Sequence, residues 1–110
     1  MPTRLRVVDQ QGSDGPFDVA PGAVAVVGRT PGADICLRDL TVARRHARFF
    51  DRDGDWFVED LGSHCGIWVN GRVGRGACPL HDGDVVRIGS RALVVELVAW
   101  RPRDAGPKSL

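Results

Sequence analysis

The chain has 110 residues, a length that suits one hydrophobic core and is too short for two. Hydrophobic residues make up 43% and charged residues 26% of the sequence, and the formal net charge of +1 argues against recognition of nucleic acid or of an acidic membrane through a global field. No apolar stretch reaches the roughly 20 residues that span a bilayer, and Met1 to Gln10 lacks the apolar segment of a signal peptide, so we expect a cytoplasmic protein.

Short strands separated by turns are predicted for the first part of the chain. Arg4 to Val8 alternates charged and apolar side chains, which is the period of a strand with one buried face. Gln10 to Pro16 is rich in glycine, serine, aspartate and proline and predicts a turn. Phe17 to Val19 is a second short strand, and the apolar run Ala23 to Gly28, too short for a helix, predicts a central strand that ends at Arg29.

The middle of the chain predicts one more strand and then a hairpin. Asp34 to Leu37 alternates again, with its apolar side chains directed inward. An irregular polar stretch follows from Arg38 to His46. Ala47 to Phe50 and Trp56 to Glu59 flank the segment Asp51 to Asp55, whose Asp-Gly step is a strong hairpin signal.

The last part of the chain continues this pattern. The strand Ile67 to Val69 leads into Asn70-Gly71, a pair that suits the positive φ angles of a tight turn. Pro79 to Asp84 is predicted to be a loop. Val85 to Ile88 and Ala92 to Trp100 then predict two strands joined by a turn.

Roughly nine to eleven short strands without helical periodicity predict an all-β fold in which two antiparallel sheets pack as a β-sandwich. We expect this domain to occupy residues 1–100, and residues 101–110, rich in proline, glycine and charge, to form a flexible tail or linker. Trp56 and Trp68 lie on predicted strands and are expected in the core or on a sheet face rather than in a ligand cage.

The cysteine and histidine residues give no sign of catalysis. Three widely spaced cysteines without a CxxC pair argue against a disulfide framework, so reduced thiols are expected. The candidate ligands and nucleophiles are His46, His64, Cys65, Cys78 and His81. Their spacing matches no metal-ligand pattern and no nucleophile motif, so we expect no metal, no cofactor and no enzymatic activity.

Three segments of the sequence together resemble the signature of the forkhead-associated (FHA) domain. They are Val27-Gly28-Arg29, Arg44-Arg45-His46-Ala47, and the stretch from Asp60 to Gly71. FHA domains dock phosphothreonine peptides on loops at one end of a β-sandwich. The resemblance implies a non-enzymatic interaction module in signalling or assembly, whose partner is a phosphothreonine-bearing protein such as the substrate of a Ser/Thr kinase.

Arg29 carries most of this resemblance. It follows a predicted buried strand, where a rigid scaffold can present a guanidinium group, and a planar guanidinium meets phosphate oxygens through two charge-assisted hydrogen bonds. By resemblance, Gly28 allows close backbone approach and Arg29 binds the phosphate. Taken alone, Arg29 is better interpreted as a surface arginine at a strand end, and the other two segments shift the interpretation to phosphate binding.

The second segment lacks one side chain that the family uses. Ala43 stands where the family has a phosphate-binding serine, and Arg44 follows it, either restoring charge toward the phosphate or extending into solvent. The resemblance implies that His46 braces the loops from behind, with its two ring nitrogens as donor and acceptor. Thr41 falls where some members select the side chain downstream of the phosphothreonine.

The third segment departs from the family in two further positions. Ser63 keeps its place and is expected to tie the loop to its own backbone, before the matching Gly66. His64 replaces a threonine that donates to phosphate, and a protonated imidazole could do the same. Cys65 replaces an asparagine that clamps the peptide backbone, which a thiol does not reproduce. The resemblance implies that the turn Asn70-Gly71 supports the binding loops.

These departures leave two binding modes open. A hydrogen bond to a charged group contributes about 1.5 to 3 kcal/mol, so two missing bonds lower affinity roughly 100- to 10,000-fold. Either Arg44 and His64 compensate, or the domain is a phosphate-independent docking or self-association platform. Nucleic-acid binding is a weaker alternative, because acidic residues balance the modest patch of Arg38, Arg44, Arg45 and Arg48 and no recognition helix is predicted.

Overall fold

A computed structural model of the chain describes residues 2–12 and 15–101 and shows eleven β-strands, with no helix in those ranges. The strands are β1 (Thr3–Asp9), β2 (Phe17–Val19), β3 (Ala25–Gly28), β4 (Ile35–Cys36), β5 (Ala47–Arg52), β6 (Asp55–Asp60), β7 (Ile67–Val69), β8 (Arg72–Val73), β9 (Ala77–Pro79), β10 (Val85–Ile88) and β11 (Arg91–Ala99). The predicted all-β class is therefore confirmed. Within the described ranges, nothing helical is long and apolar enough to cross a membrane.

The strands form two sheets. One has six strands in the order β2-β1-β11-β10-β7-β8, and the other has five in the order β4-β3-β5-β6-β9. Neighbouring strands are antiparallel except β3 and β4, which run parallel with Val27 opposite Ile35. The predicted β-sandwich is thus present, and this one parallel pair makes its smaller sheet mixed rather than purely antiparallel.

Two tight turns form at the dipeptides where the sequence predicts them. Asp53 and Gly54, between β5 and β6, have φ angles of 54° and 88°, and Asn70 and Gly71, between β7 and β8, have φ angles of 50° and 81°. Positive φ at both central residues gives a turn whose twist matches that of the flanking strands. Aspartate, asparagine and glycine tolerate this region better than other residues, which is why the hairpins form at these dipeptides.

Two further strands follow the turn at Asn70-Gly71, in an interval for which no element is named from the sequence. β8 and β9 occupy that interval, and Pro79, which was placed in the loop, ends β9. Each strand is only two or three residues long and has neither alternation nor an apolar run. Both lie at an edge of their sheet, where pairing with β7 and β6 supplies the extended conformation.

The core lies between the sheets and consists of the inward side chains of both. Leu5, Val7, Ile35 and Leu37, which the sequence places on inward positions, are all buried. Trp56 is buried in the same core, and its indole Nε1 donates a hydrogen bond to the Thr3 carbonyl at 3.2 Å. Trp68 points outward from β7 and is 42% exposed, so the two tryptophans occupy a core and a sheet-face position.

Four connections meet at one end of the sandwich. They are the loops after β3, β4 and β6 and the turn between β10 and β11. Hydrogen bonds join these connections to one another. The predicted tail falls on residues 101–110, of which 102–110 lie outside the described residues. The division of the chain at residue 100 therefore stays a prediction.

Candidate functional site

The loops at this end of the sandwich enclose a shallow cleft of about 220 Å³. Its lining residues are Arg29, Leu40, Thr41, Val42, Ala43, His46, His64 and Cys65. They come from three loops that are far apart in sequence, so the fold itself creates the cleft. Four of the predicted binding residues, Arg29, Thr41, His64 and Cys65, are brought together here.

Arg29 is held in the cleft by backbone atoms. Its Nε donates a hydrogen bond to the Val42 carbonyl at 2.9 Å, and its backbone amide donates to the Ala43 carbonyl at 3.0 Å. In the part of the chain that the structure describes, no carboxylate pairs with its guanidinium. The four N–H groups on its two Nη atoms therefore stay available to an anion.

Gly28 permits the close approach of the loop that follows β4. A Cβ at residue 28 would lie 1.9 Å from the Arg44 carbonyl oxygen and 3.3 Å from the Arg45 Cα. Backbone atoms cannot yield as the end of a flexible side chain can, so only glycine fits at this position. The glycine predicted to allow close approach thus admits the main chain of the neighbouring loop.

His46 connects two loops from behind the cleft. It is 1% exposed, its Nδ1 accepts a hydrogen bond from the Ala43 amide at 3.0 Å, and its Nε2 donates to the Gly66 carbonyl at 2.8 Å. One ring nitrogen therefore acts as acceptor and the other as donor, which is the pattern of a neutral imidazole with hydrogen on Nε2. The carboxylate of Asp60 lies 4.0 Å from the same Nε2.

Ser63 organises the loop after β6. Its hydroxyl donates to the Asp60 carboxylate and accepts a hydrogen bond from the Gly66 amide at 2.9 Å. Asp60 also accepts from the amides of Gly62 and Ser63, at 3.0 and 3.1 Å. This closed set of bonds leaves His64 as an exposed side chain at the tip of the loop.

A second hydrogen-bond network fixes the loop after β4 to the turn between β10 and β11. The Thr41 hydroxyl donates to the Asp39 carboxylate at 2.5 Å and accepts from the Ser90 amide at 2.8 Å. Asp39 also accepts from the Ser90 hydroxyl at 2.5 Å and from Arg91 Nε at 3.1 Å. The hydroxyls of Ser90 and Thr41 stabilise the carboxylate and hold the pKa of Asp39 well below its ordinary value.

Arg91 carries this network into the sandwich. Besides Asp39, its guanidinium pairs with the buried carboxylate of Asp9 at the end of β1. Gly89 makes room for the loop, since a Cβ there would lie 2.5 Å from the Thr41 hydroxyl oxygen. The hydroxyl of Thr41, one of the predicted binding residues, is thereby already committed to the scaffold.

Six of the predicted residues lie outside the cleft lining: Gly28, Ser63 and Gly66, which shape its loops, and Arg44, Asn70 and Gly71. The Arg44 side chain is exposed, and only its carbonyl takes part in the packing against Gly28. Asn70 donates to Asp84 at 2.9 Å and accepts from the Val85 amide at 2.9 Å, so the turn that it forms with Gly71 is tied to the segment before β10. This turn lies at the opposite end of β7 from Gly66.

Sequence reasoning missed several residues of the site. Leu40 is 90% exposed at the rim of the cleft, and no pattern in a single sequence distinguishes such a residue from any other loop position. Asp39 and Asp60 had a usable signal, because aspartate two or three residues before threonine or serine commonly caps a turn. The sequence carries no signal for the contacts of Arg91, because these contacts join segments that are distant in sequence.

The cleft has the chemistry of an anion-binding site. One guanidinium is fixed by a main-chain carbonyl, an imidazole and a thiol line the same cleft, and apolar side chains contribute to the rest of the lining. In residues 2–12 and 15–101, no three His, Cys, Asp or Glu side chains are grouped so that they could hold a metal ion. A planar cation in a partly apolar cleft suits a phosphorylated or carboxylated group on a polypeptide.

Comparison with known proteins identifies relatives of this arrangement. The FHA domain family matches residues 25–89. The oxoglutarate dehydrogenase inhibitor of Corynebacterium diphtheriae is 49% identical over 67 residues, which are 61% of this chain and 46% of that protein. The glycogen accumulation regulator GarA of Mycobacterium tuberculosis is 43% identical over 72 residues, 66% of this chain and 44% of that protein. The chain spans about half the length of the curated relatives that it matches.

Solved structures agree in fold. An FHA domain from an analysis of phosphothreonine-dependent FHA domain interactions superposes with a TM-score of 0.80 at 28% identity, covering 89% of this chain and all of that one. The match therefore extends over most of the chain.

Proposed function

This chain belongs to the FHA domain family, and on that premise we propose that its cleft binds a phosphothreonine-bearing segment of a partner protein. The domain acts as a non-enzymatic interaction module, so phosphorylation of the partner controls the association. The family match covers the three loops that line the cleft, and relatives of the chain are named as an inhibitor and a regulator.

The position of Arg29 carries this proposal. A hydrogen bond from Nε to the Val42 carbonyl fixes the guanidinium, and no carboxylate of the described residues competes for it. A phosphate dianion accepts two parallel hydrogen bonds from such a group, whereas an internally paired arginine would first have to break its ion pair. The side chain is thus preorganised for an external anion.

The remaining residues of the cleft are assigned roles around that anion. His64 donates a second hydrogen bond to the phosphate from the tip of the loop after β6, and Cys65 lies along the peptide. Leu40 offers an apolar contact at the rim, where its exposed side chain is available to a partner. Arg44, exposed beside the cleft, adds positive charge at longer range.

The relatives suggest the biological setting. Their names describe an inhibitor of oxoglutarate dehydrogenase and a regulator of glycogen accumulation. We therefore propose that this domain regulates a partner protein by binding it, with a Ser/Thr kinase supplying the phosphothreonine. Such kinases consume ATP, which supports a cytoplasmic location for the proposed function.

The two missing polar side chains favour one alternative function. Ala43 and Cys65 remove hydrogen bonds that the family makes to phosphate and peptide, while the backbone bonds that shape the loops remain. The same cleft could then bind an unphosphorylated segment or a second copy of the chain. The affinity for paired phosphorylated and unphosphorylated peptides separates the two functions.

The decisive experiment is selection from a phosphothreonine peptide library, followed by fluorescence anisotropy on the best peptide and on its unphosphorylated form. We expect the wild type to prefer the phosphorylated peptide by at least roughly tenfold. Arg29→Ala should abolish that preference, whereas Arg45→Ala, which removes an exposed arginine outside the cleft lining, should preserve it. Equal affinity of the wild type for both peptides would contradict phosphate recognition, and unchanged binding by Arg29→Ala would contradict the site.

A further inference from the structure

A second exposed surface lies along the open edge of the six-stranded sheet, on strands β7, β8 and β10. We call it the β8 edge surface, and its residues are Trp68, Arg72, Val73 and Arg87 on these strands and Arg75 in the connection after β8. Trp68 stands directly between its neighbours, since it is opposite Arg87 on one side and Val73 on the other. Side chains directly opposite each other on one sheet face have Cβ atoms about 5 Å apart, so these three form one contiguous row.

The two apolar side chains of this surface are exposed to solvent. Trp68 is 42% exposed and Val73 is 48% exposed, although both sit on regular strands next to a well-formed core. Tryptophan and arginine are the residues most enriched among those that dominate binding energy at protein interfaces. A tryptophan flanked by valine and arginine is therefore a suitable anchor for a partner's apolar side chain.

The charge of the β8 edge surface is uncompensated. Among the described residues, no carboxylate forms an ion pair with Arg72, Arg75 or Arg87. The carboxylate nearest along the chain, Asp84, is already engaged by Asn70 Nδ2 at 2.9 Å and by the His81 amide at 2.8 Å. Three arginines on one edge favour an acidic partner, and they oppose a symmetric pairing of two copies because like charges would meet.

The backbone of β8 is also available on its outer side. β8 pairs only with β7, and the Gly74 amide donates to the Ile67 carbonyl at 2.9 Å. In an antiparallel ladder, hydrogen-bonded and non-hydrogen-bonded pairs alternate. Because Ile67 and Gly74 form a hydrogen-bonded pair, the adjacent pair Trp68–Val73 is a non-hydrogen-bonded pair. The amide and the carbonyl of Val73 thus point away from β7, where an added strand would meet them.

A cleft adjoins this edge on its inner side. Its volume is about 620 Å³, and it opens between β8 and β9, with Arg72, Val73, Cys78 and His81 among its lining residues. An extended chain lying along β8 would direct alternate side chains toward Trp68 on the outer face and toward this cleft on the inner face. The edge therefore offers contacts to both faces of such a chain.

We propose that the β8 edge surface binds an extended acidic segment of a partner polypeptide, which adds to the sheet alongside β8. Apolar side chains of the segment pack on Trp68 and Val73, and its carboxylates pair with Arg72, Arg75 and Arg87. This interaction needs no phosphate and does not depend on Arg29. It gives the domain a second point of attachment on a different part of the sandwich from the cleft.

The test is an NMR titration of the ¹⁵N-labelled chain with the blocked peptide Glu-Glu-Val-Thr-Val-Glu-Glu. The same peptide with lysine in place of glutamate and a single-stranded oligothymidylate serve as parallel probes. We expect the acidic peptide to shift the indole signal of Trp68 and the amide signals of Val73 and Arg75 with saturation, while the buried indole of Trp56 stays unmoved. The double variant R72A/R87A should lower affinity roughly tenfold, with Arg52→Ala on the other sheet as the matched control.

Each contrary result has a definite meaning. Absence of saturable shifts at Trp68 and Val73 overturns the proposal, as does an equal response to the lysine peptide. Stronger binding of the oligothymidylate at the same residues would show that the surface binds nucleic acid rather than an acidic polypeptide. If these signals shift with protein concentration in the absence of peptide, the surface binds a second copy of the chain instead of the acidic segment, and the proposal is overturned. Arg29→Ala should leave the titration unchanged, so failure here is separate from failure of phosphopeptide binding.

Discussion

Gly28 and Arg44 are in such close contact that a Cβ at residue 28 would lie 1.9 Å from the Arg44 carbonyl oxygen. This contact packs the loop after β4 against the end of β3, next to Arg29. The packing of these two main-chain segments thus sets the position of the Arg29 backbone relative to the loop after β4.

Gly28→Ala should therefore destabilise the fold by about 2 to 3 kcal/mol, because the loop must move to accept the methyl group. Urea unfolding monitored by tryptophan fluorescence measures this change. Gly32→Ala is the matched control, since a Cβ at residue 32 has no atom within 4 Å and should alter stability little. Similar stability of the two variants would show that the loop is free to shift.

His46→Ala should cost about 2 to 4 kcal/mol of folding free energy, because it leaves the Ala43 amide and the Gly66 carbonyl without their partner in a buried location. Denaturant titration gives the free energy, and hydrogen exchange at the Ala43 amide reports the loop directly. The exposed side chain of His81 provides the comparison, and His81→Ala should behave like the wild type. An unchanged exchange rate at Ala43 would contradict the bracing role of His46.

Restoring the two family side chains should strengthen phosphopeptide binding. Ala43→Ser reintroduces a hydrogen-bonding group toward the phosphate, and such a bond to a charged group contributes about 1.5 to 3 kcal/mol. Cys65→Asn reintroduces hydrogen bonding to the neutral peptide backbone, where a bond contributes about 0.5 to 1.5 kcal/mol. We expect Ala43→Ser to lower the Kd for a phosphothreonine peptide by at least roughly tenfold and Cys65→Asn to lower it by a smaller factor. The unphosphorylated peptide is the control for Ala43→Ser, and an equal gain for both peptides would show that the serine does not contact phosphate.

Asp39 should make the stability of the domain depend on pH in the acid range. Its pKa is lowered in the folded state from the ordinary 3.8, so the unfolded chain takes up the proton first as the pH falls. The stabilisation is fully present above about pH 5 and is lost progressively below about pH 4, toward the folded pKa. Asp39→Asn should flatten the fall in unfolding free energy between pH 4.5 and 2.5, measured by urea titration, and parallel curves for both proteins would contradict this.

The fold could be predicted where sequence patterns and turn signals coincide. β2, β7 and β10 have the predicted bounds, because each is followed within three residues by a turn that contains glycine or asparagine. β8 and β9 could not be predicted, because strands of two or three residues owe their conformation to the partner strand and not to their own sequence.

The site was predictable to a similar degree. Gly28, Arg29 and His46 carry a motif, so their placement around one cleft follows from the family resemblance. The network of Asp39 and Arg91 joins residues 52 positions apart, and the pair of Arg91 and Asp9 is 82 positions apart. Such contacts depend on the assembled sheets, and a single sequence carries no local sign of them.

None of the hydrogen bonds described for the cleft uses a side chain at position 40, 43, 64 or 65, since the side chains of Arg29 and His46 bind main-chain atoms of Val42, Ala43 and Gly66. Side chains at positions 40, 43, 64 and 65 can then be exchanged while the geometry persists. A combinatorial library randomised at those four positions should yield folded binders with new ligand preferences, which makes this small sandwich a candidate scaffold for engineered recognition.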